Sequence, residues 1–151
     1  MRLASLALLS AAAGLLVAAA GADPKTVIPA RQLGMKQIGR AFKGINDQLK
    51  GGHEAAALKA DSRQIATLAP KIPSWFPRGT GPNAGVKTAA KGNIWTSRRD
   101  FEAKAAALAK ASSALAAAAA KNNDPATLRP LVAQVGGACK ACHTTYKRQD
   151  D

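Results

Sequence analysis

Aromatic residues are scarce in this chain, at 4% of 151 residues, and threonine, valine and isoleucine are thinly spread. Sheets are built largely from those residue types, so an all-β fold is excluded. Acidic residues are also few, 9 against 22 lysines and arginines, for a net charge of +13. On its own that excess suits nucleic acid or an anionic membrane. Cysteine is limited to Cys139 and Cys142. No constellation of general acid and base or of an activated nucleophile appears, so an enzyme in the ordinary sense is not expected. Alanine is what the chain has in quantity. The hydrophobic fraction of 47% excludes a wholly disordered chain, and the length suits one domain or a small pair.

Residues 1–22 have the build of an export signal. Arg2 supplies the positive start, Leu3 to Ala20 is apolar and broken only by small residues, and Ala20-Gly21-Ala22 is a small-x-small cleavage site. A membrane anchor is the competing reading, since the stretch is marginally long enough to span. It ends in a cleavage site rather than a basic stop, so the expectation is cleavage after Ala22 and no membrane span thereafter. The domain is then 23–151, with one positive charge fewer, located in a bacterial periplasm. Export argues against nucleic acid as a partner.

Hydrophobic spacing predicts four helices. Met35, Ile38, Phe42, Ile45 and Leu49 alternate at three and four residues, the stripe of a bundle helix. Pro29 suits its first position and Gly51-Gly52 its end. The second helix carries Leu58, Ile65, Leu68 and Ile72 and ends before Pro73. The third starts near Ser97, with Ser97 and Asp100 as a capping box, carries Phe101, Leu108 and Leu115, and runs to about Lys121. Asp124 caps the fourth, with Pro125 first; Leu128, Val132, Val135, Cys139, Cys142 and Tyr146 line one side. The fold class is therefore all-α, an antiparallel up-down-up-down four-helix bundle. A long connection from Pro73 to Thr96 separates helices two and three. Its prolines and glycines forbid regular structure, and Trp75, Phe76, Ile94 and Trp95 predict that it is packed.

Cys139-Lys140-Ala141-Cys142-His143 is C-x-x-C-H, the attachment signature of haem c. Residues three apart share a helix face, so both thiols reach the vinyl groups of one porphyrin, and His143 turns its imidazole to the iron. A disulfide here would be strained and close a trivial loop. A thioredoxin-like pair needs a β-α-β setting with the motif at a helix start. Zinc needs a further ligand, and the only other histidine is His53.

With this motif near the C-terminus of an exported four-helix chain, the sequence resembles the class II c-type cytochromes, the cytochrome c′ family. Further matches are Arg31-Gln32 with Met35-Lys36, Trp75-Phe76-Pro77 with Gly79-Thr80-Gly81, Ile94-Trp95, and the closing Cys-Lys-x-Cys-His-x-x-Tyr. The resemblance implies haem at one end of the bundle, held by Cys139 and Cys142, with His143 as the proximal iron ligand. It also implies a homodimer through helices one and two. Lys147 departs from the family's usual arginine; it keeps the charge without the planar fork.

In an antiparallel bundle the start of helix one lies beside the end of helix four, so Met35 and His143 flank one haem. Met35 either ligates the iron or packs as the first knob of its stripe. Ligation gives a six-coordinate, low-spin, single-electron carrier; that is the leading expectation, with an acidic redox partner to suit the charge. The alternative is a five-coordinate protein that binds nitric oxide or carbon monoxide, as a trap or sensor. Arg31 either pairs with a haem propionate or is solvated. Trp95 either packs on the haem edge or anchors the connection.

Overall fold

The computed structural model describes residues 21–51 and 54–149; the expected signal falls largely on residues 1–20, outside them. Four long helices form the bundle: α1 (Pro24–Lys50), α2 (Ala55–Leu68), α4 (Arg98–Lys121) and α5 (Pro125–Tyr146). A fifth, α3 (Asn93–Thr96), is a single turn within the connection. No strand occurs among the described residues, and no described helix is long and apolar enough to cross a membrane.

The helix ends follow local chemistry, with three departures from the sequence reading. α1 begins at Pro24 rather than Pro29, because Asp23 is a better cap. Its carboxylate accepts from the Lys25 N–H at 3.1 Å and the Thr26 hydroxyl at 2.7 Å. Pro29 lies inside the helix, where it forgoes one backbone bond. α2 ends earlier than expected, at Leu68, and the chain tightens into a 3₁₀ segment, Ala69–Trp75. Pro70 and Pro73 remove the donors that an α-helix would need there. Ser97 precedes α4, but its side chain makes no capping bond: its backbone, at φ −110° and ψ 43°, lacks the extended conformation of a cap, and the carboxylate of Asp100, which would close the box, is engaged by Tyr146. The cap of α5 is as expected: Asp124 accepts from the N–H groups of Ala126 and Thr127 at 3.2 and 2.9 Å.

Short links fold α1 back on α2 and α4 on α5. Arg98, at the start of α4, donates to the carbonyls of Pro73 and Phe76, just past the end of α2, so those two helices also run oppositely. The expected stripes are the core: Ile38, Ile45, Leu49, Leu58, Ile65, Phe101, Leu108, Leu115, Leu128, Val132, Val135 and Tyr146 are all buried. Each large apolar side chain contributes roughly 1.5–3 kcal/mol. Small residues fill the rest. Ser62 and Ser112 are wholly buried, and each satisfies its hydroxyl on a carbonyl of its own helix, Leu58 and Ala109. The α1–α5 seam is the loosest of the bundle: a groove of about 420 Å³ runs along it, lined by Phe42, Asn46, Arg129 and Val132 among others.

The connection is packed, as its aromatics imply, but it is not free of regular structure as expected: the 3₁₀ segment runs into it as far as Trp75, and α3 forms at Asn93–Thr96, past its last glycine. Phe76, Thr80, Thr88, Ala90 and Ile94 are buried. Gly79 and Gly85 turn it at φ of +81° and +72°, values that favour glycine.

Candidate functional site

The motif lies in the last turns of α5. Cys139 and Cys142 share a side, are half-buried and pack on the core; their sulfurs are not joined. Burial raises both thiols above the ordinary range. For Cys142, neighbouring Cys139 adds to this and Lys104 opposes it. A redox pair needs the reverse, a stabilised thiolate at a helix start. Among the described residues no group of three or more His, Cys, Asp or Glu could hold a metal ion, and His53 is outside them. The raised thiols thus do not suit thioredoxin-like chemistry.

His143 follows on the exposed side of the helix. Partial loss of water and the nearby Lys147 charge hold its imidazole below the usual value, favouring the neutral form that ligates iron. Past α5 the chain runs extended and is clasped to the connection. Ala90 bridges Lys147, the Lys91 N–H donates to the Tyr146 carbonyl at 2.9 Å, and the Arg148 N–H to the Ala89 carbonyl at 2.8 Å. The Tyr146 ring meets Phe101 edge-on at 5.3 Å, and its hydroxyl donates to Asp100 at 2.5 Å. Burial and that carboxylate push the Tyr146 phenol up to about 12. The backbone beyond His143 is therefore anchored on two sides.

Two contacts set the register of α1 against α5. Arg129 donates to the Leu49 carbonyl at 2.9 Å, and a Cβ added at Gly136 would meet the Phe42 ring at 3.2 Å. Met35 lies seven residues before Phe42, and His143 seven after Gly136. The antiparallel register thus brings Met35 level with His143. Met35 is half-buried and packs on the core. Trp75 covers the preceding residue so closely that a Cβ on Gly34 would lie 2.7 Å from its ring.

Arg31 is one turn before Met35, and the solvated alternative for it fails: the side chain is 3% exposed. Its guanidinium donates to the Thr80 and Thr88 hydroxyls at 2.9 Å each, and lies 4.6 Å from the Phe76 ring centre and 5.9 Å from that of Trp95. Burial lowers its pKa. No carboxylate of the described residues pairs with it. A buried cation without an anion is costly, and the carboxylates of a porphyrin would supply the missing charge. Half-buried thiols three residues apart on one side of α5, an imidazole beside them whose neutral form is favoured, and a guanidinium that pairs with no carboxylate of the described residues together fit haem c. Trp95 anchors the connection: its indole N–H donates to the Pro77 carbonyl at 2.8 Å, and its ring lies against Gly81.

The residues that sequence reasoning missed are Thr80 and Thr88 as partners of Arg31, Trp75 as cover for Gly34, and Asp100 as partner of Tyr146. Thr80 and Trp75 stood inside quoted motifs; nothing local marks Thr88 or the Asp100–Tyr146 pair.

The family model of cytochrome C′ matches residues 26–147. A cytochrome c′ from Pararhodospirillum photometricum is 35% identical over 130 residues, 83% of this chain and 99% of the relative. Among solved structures, a cytochrome c′ with ligand-controlled dimer dissociation superposes with a TM-score of 0.79 at 29% identity, over 86% of this chain and 100% of the other. The nitric oxide complex of a mutant cytochrome c prime from Alcaligenes xylosoxidans gives a TM-score of 0.74 at 27% identity, over 86% and 100%.

Proposed function

This chain belongs to the cytochrome c′ family, whose cofactor is covalently attached haem c, and from that premise we propose an exported haem protein that binds nitric oxide or carbon monoxide. When bound, the haem supplies a reversible one-electron change at iron and a coordination position for a small gas. Cys139 and Cys142 hold it by thioethers, and His143 ligates the iron. Arg31 neutralises a propionate inside its cage of Thr80, Thr88 and Phe76. Trp95, 6.2 Å from Phe76 and 5.9 Å from the Arg31 guanidinium, borders that cage and would contact the haem there. Residues 1–22 direct the chain to the periplasm and are removed. Catalysis of a reaction on an organic substrate is not part of this function.

The observation that carries the gas-binding reading is Met35. It stands level with His143 but packs on the core, which suits an apolar wall beside the iron rather than a ligand to it. The nitric oxide complex and the ligand-controlled dimer among similar structures support the same reading, and the latter supports a homodimer for this chain.

The register itself favours a second reading. A thioether level with the imidazole is positioned to ligate, which would give a low-spin electron carrier of raised potential. Optical spectra of the ferric and ferrous protein, with and without carbon monoxide, separate the two. High-spin ferric iron and ready carbon monoxide binding support the gas-binding function. A low-spin spectrum with the weak near-infrared band of a methionine–iron bond and poor gas uptake overturns it in favour of electron transfer.

A further inference from the structure

The end of the bundle that carries His143 also gathers positive charge. Lys140 lies inside the motif and Lys147 one turn past His143. The extended clasp brings Arg148 to Ala89 and Thr88, and the Lys91 ammonium to the Thr144 carbonyl at 3.3 Å. Gln32 donates to the Lys87 carbonyl at 3.0 Å, tying that lysine to the first half of α1; Lys36 stands one turn along from Gln32. Lys36, Lys87, Lys140, Lys147 and Arg148 are all exposed. The stretches that hold this group, 28–38, 86–93 and 138–149, contain no aspartate or glutamate. Asp150 and Asp151 follow, outside the described residues. At this same end, on α4, Arg98 and Lys104 face the carboxylates of Glu102 and Asp100, and Asp100 also holds Tyr146, so the patch is confined to the side formed by α1, the end of α5, the connection and the clasp.

We propose that this patch is the docking surface for the acidic face of a one-electron donor protein. The inference rests on the haem-site assignment, because only the patch's position around His143 makes it a place for electrons to enter. The step balances as one electron: the donor is oxidised by one, Fe(III) becomes Fe(II), and no bond or proton moves. Carbon monoxide binds the ferrous state, so a gas-binding protein needs such a donor as much as a carrier does. Backbone bonds pin the segments that bear the charges, which lowers the ordering cost of docking. A single-sign patch raises the encounter rate with an oppositely charged partner by one to three orders of magnitude. Anionic lipid and nucleic acid would also feel this charge, but neither needs it centred on the haem-bearing turn.

The test uses the haem-loaded protein and two small reductants of opposite charge, iron(II)–EDTA, a dianion, and hexaammineruthenium(II), a dication. The anion's rate should fall roughly tenfold as ionic strength rises from about 0.01 to 0.1 M, while the cation's rate rises, because screening shortens from about 30 to 10 Å. Lys87→Glu with Lys140→Glu should lower the anion's low-salt rate several-fold and weaken binding of polyglutamate, measured by calorimetry. Lys50→Glu with Lys121→Glu makes the same change in net charge at the far ends of α1 and α4, and should change both far less. Equal effects from the two pairs, or no salt dependence, would overturn the proposal. So would binding to anionic phospholipid vesicles or DNA without binding to polyglutamate. Haem content and the Soret spectrum are read on every sample. Absent haem in the wild type sinks the site assignment, whereas intact haem with indifferent kinetics sinks the patch alone.

Discussion

Replacing Arg31 by leucine distinguishes a guanidinium that merely stitches the connection to α1 from one that holds a haem carboxylate. Two hydroxyl contacts of 2.9 Å and a ring at 4.6 Å are lost. Hydrogen bonds to a charged group contribute roughly 1.5–3 kcal/mol each, and the ring contact about 1 kcal/mol. Against this stands the several kcal/mol that a buried, unpaired cation costs. Thr80 still donates to the Pro77 carbonyl and Thr88 still accepts from the Ala90 N–H after the change, so neither hydroxyl is orphaned. Without an anion the two sides nearly cancel, and Arg31→Leu should alter stability by no more than about 1 kcal/mol. With a propionate beside the guanidinium, the deletion strands a buried carboxylate and costs about 3–5 kcal/mol. We expect the larger loss in urea unfolding of the haem-loaded protein, read as a lower midpoint at unchanged slope. Arg31→Lys keeps the charge but not the fork and should fall between. Removing the cation should also raise the pKa of the propionate, visible as a pH-dependent shift of the haem spectrum. A leucine variant within about 1 kcal/mol of wild type, with no such shift, would refute the pairing.

Gly34→Ala should cost roughly 1–3 kcal/mol, because the new methyl would lie 2.7 Å from the Trp75 ring; a red-shifted tryptophan emission would report the displaced indole. Tyr146 is protonated in the folded protein up to about pH 12, but only to about 10 when unfolded. The folded state therefore holds more protons across that interval, and stability falls as pH rises through it. Tyr146→Phe should flatten that decline in alkaline melting curves, and an unchanged slope would contradict the buried Asp100 contact. Met35→Leu conserves most of the volume and should leave a high-spin spectrum as it is, while Met35→Ala should speed carbon monoxide binding. A low-spin wild type that turns high-spin as leucine would instead identify Met35 as a ligand.

Periodicity made the bundle readable because α-helices that share one core must repeat apolar residues at three and four: Ile38, Ile45, Leu49, Leu108 and Leu115 all lie where the stripes place them. Asp124-Pro125 was readable because capping is local. The errors arose where two local signals competed. Pro29 and Pro24 both suit a helix start, and only Asp23 makes the cap. Ser97 has the right spacing for a box, but Asp100 is drawn to a tyrosine 46 residues away. Arg31 could not be placed from its neighbours. Arginine is rarely fully buried unless paired, and its hydroxyl partners are 49 and 57 residues distant. The cofactor motif was the most legible part of the site because its spacing is set by the porphyrin rather than by this fold.

The attachment of haem through Cys139 and Cys142 underlies every reading above. Its most direct test is mass spectrometry of the protein produced in an exporting, haem-attaching host, then denatured, extracted with acid acetone and digested. The account predicts that haem stays with the protein and is recovered on fragments containing both Cys139 and Cys142, neither of which reacts with an alkylating reagent. Complete release of haem into the acetone, with both thiols alkylated, would contradict it.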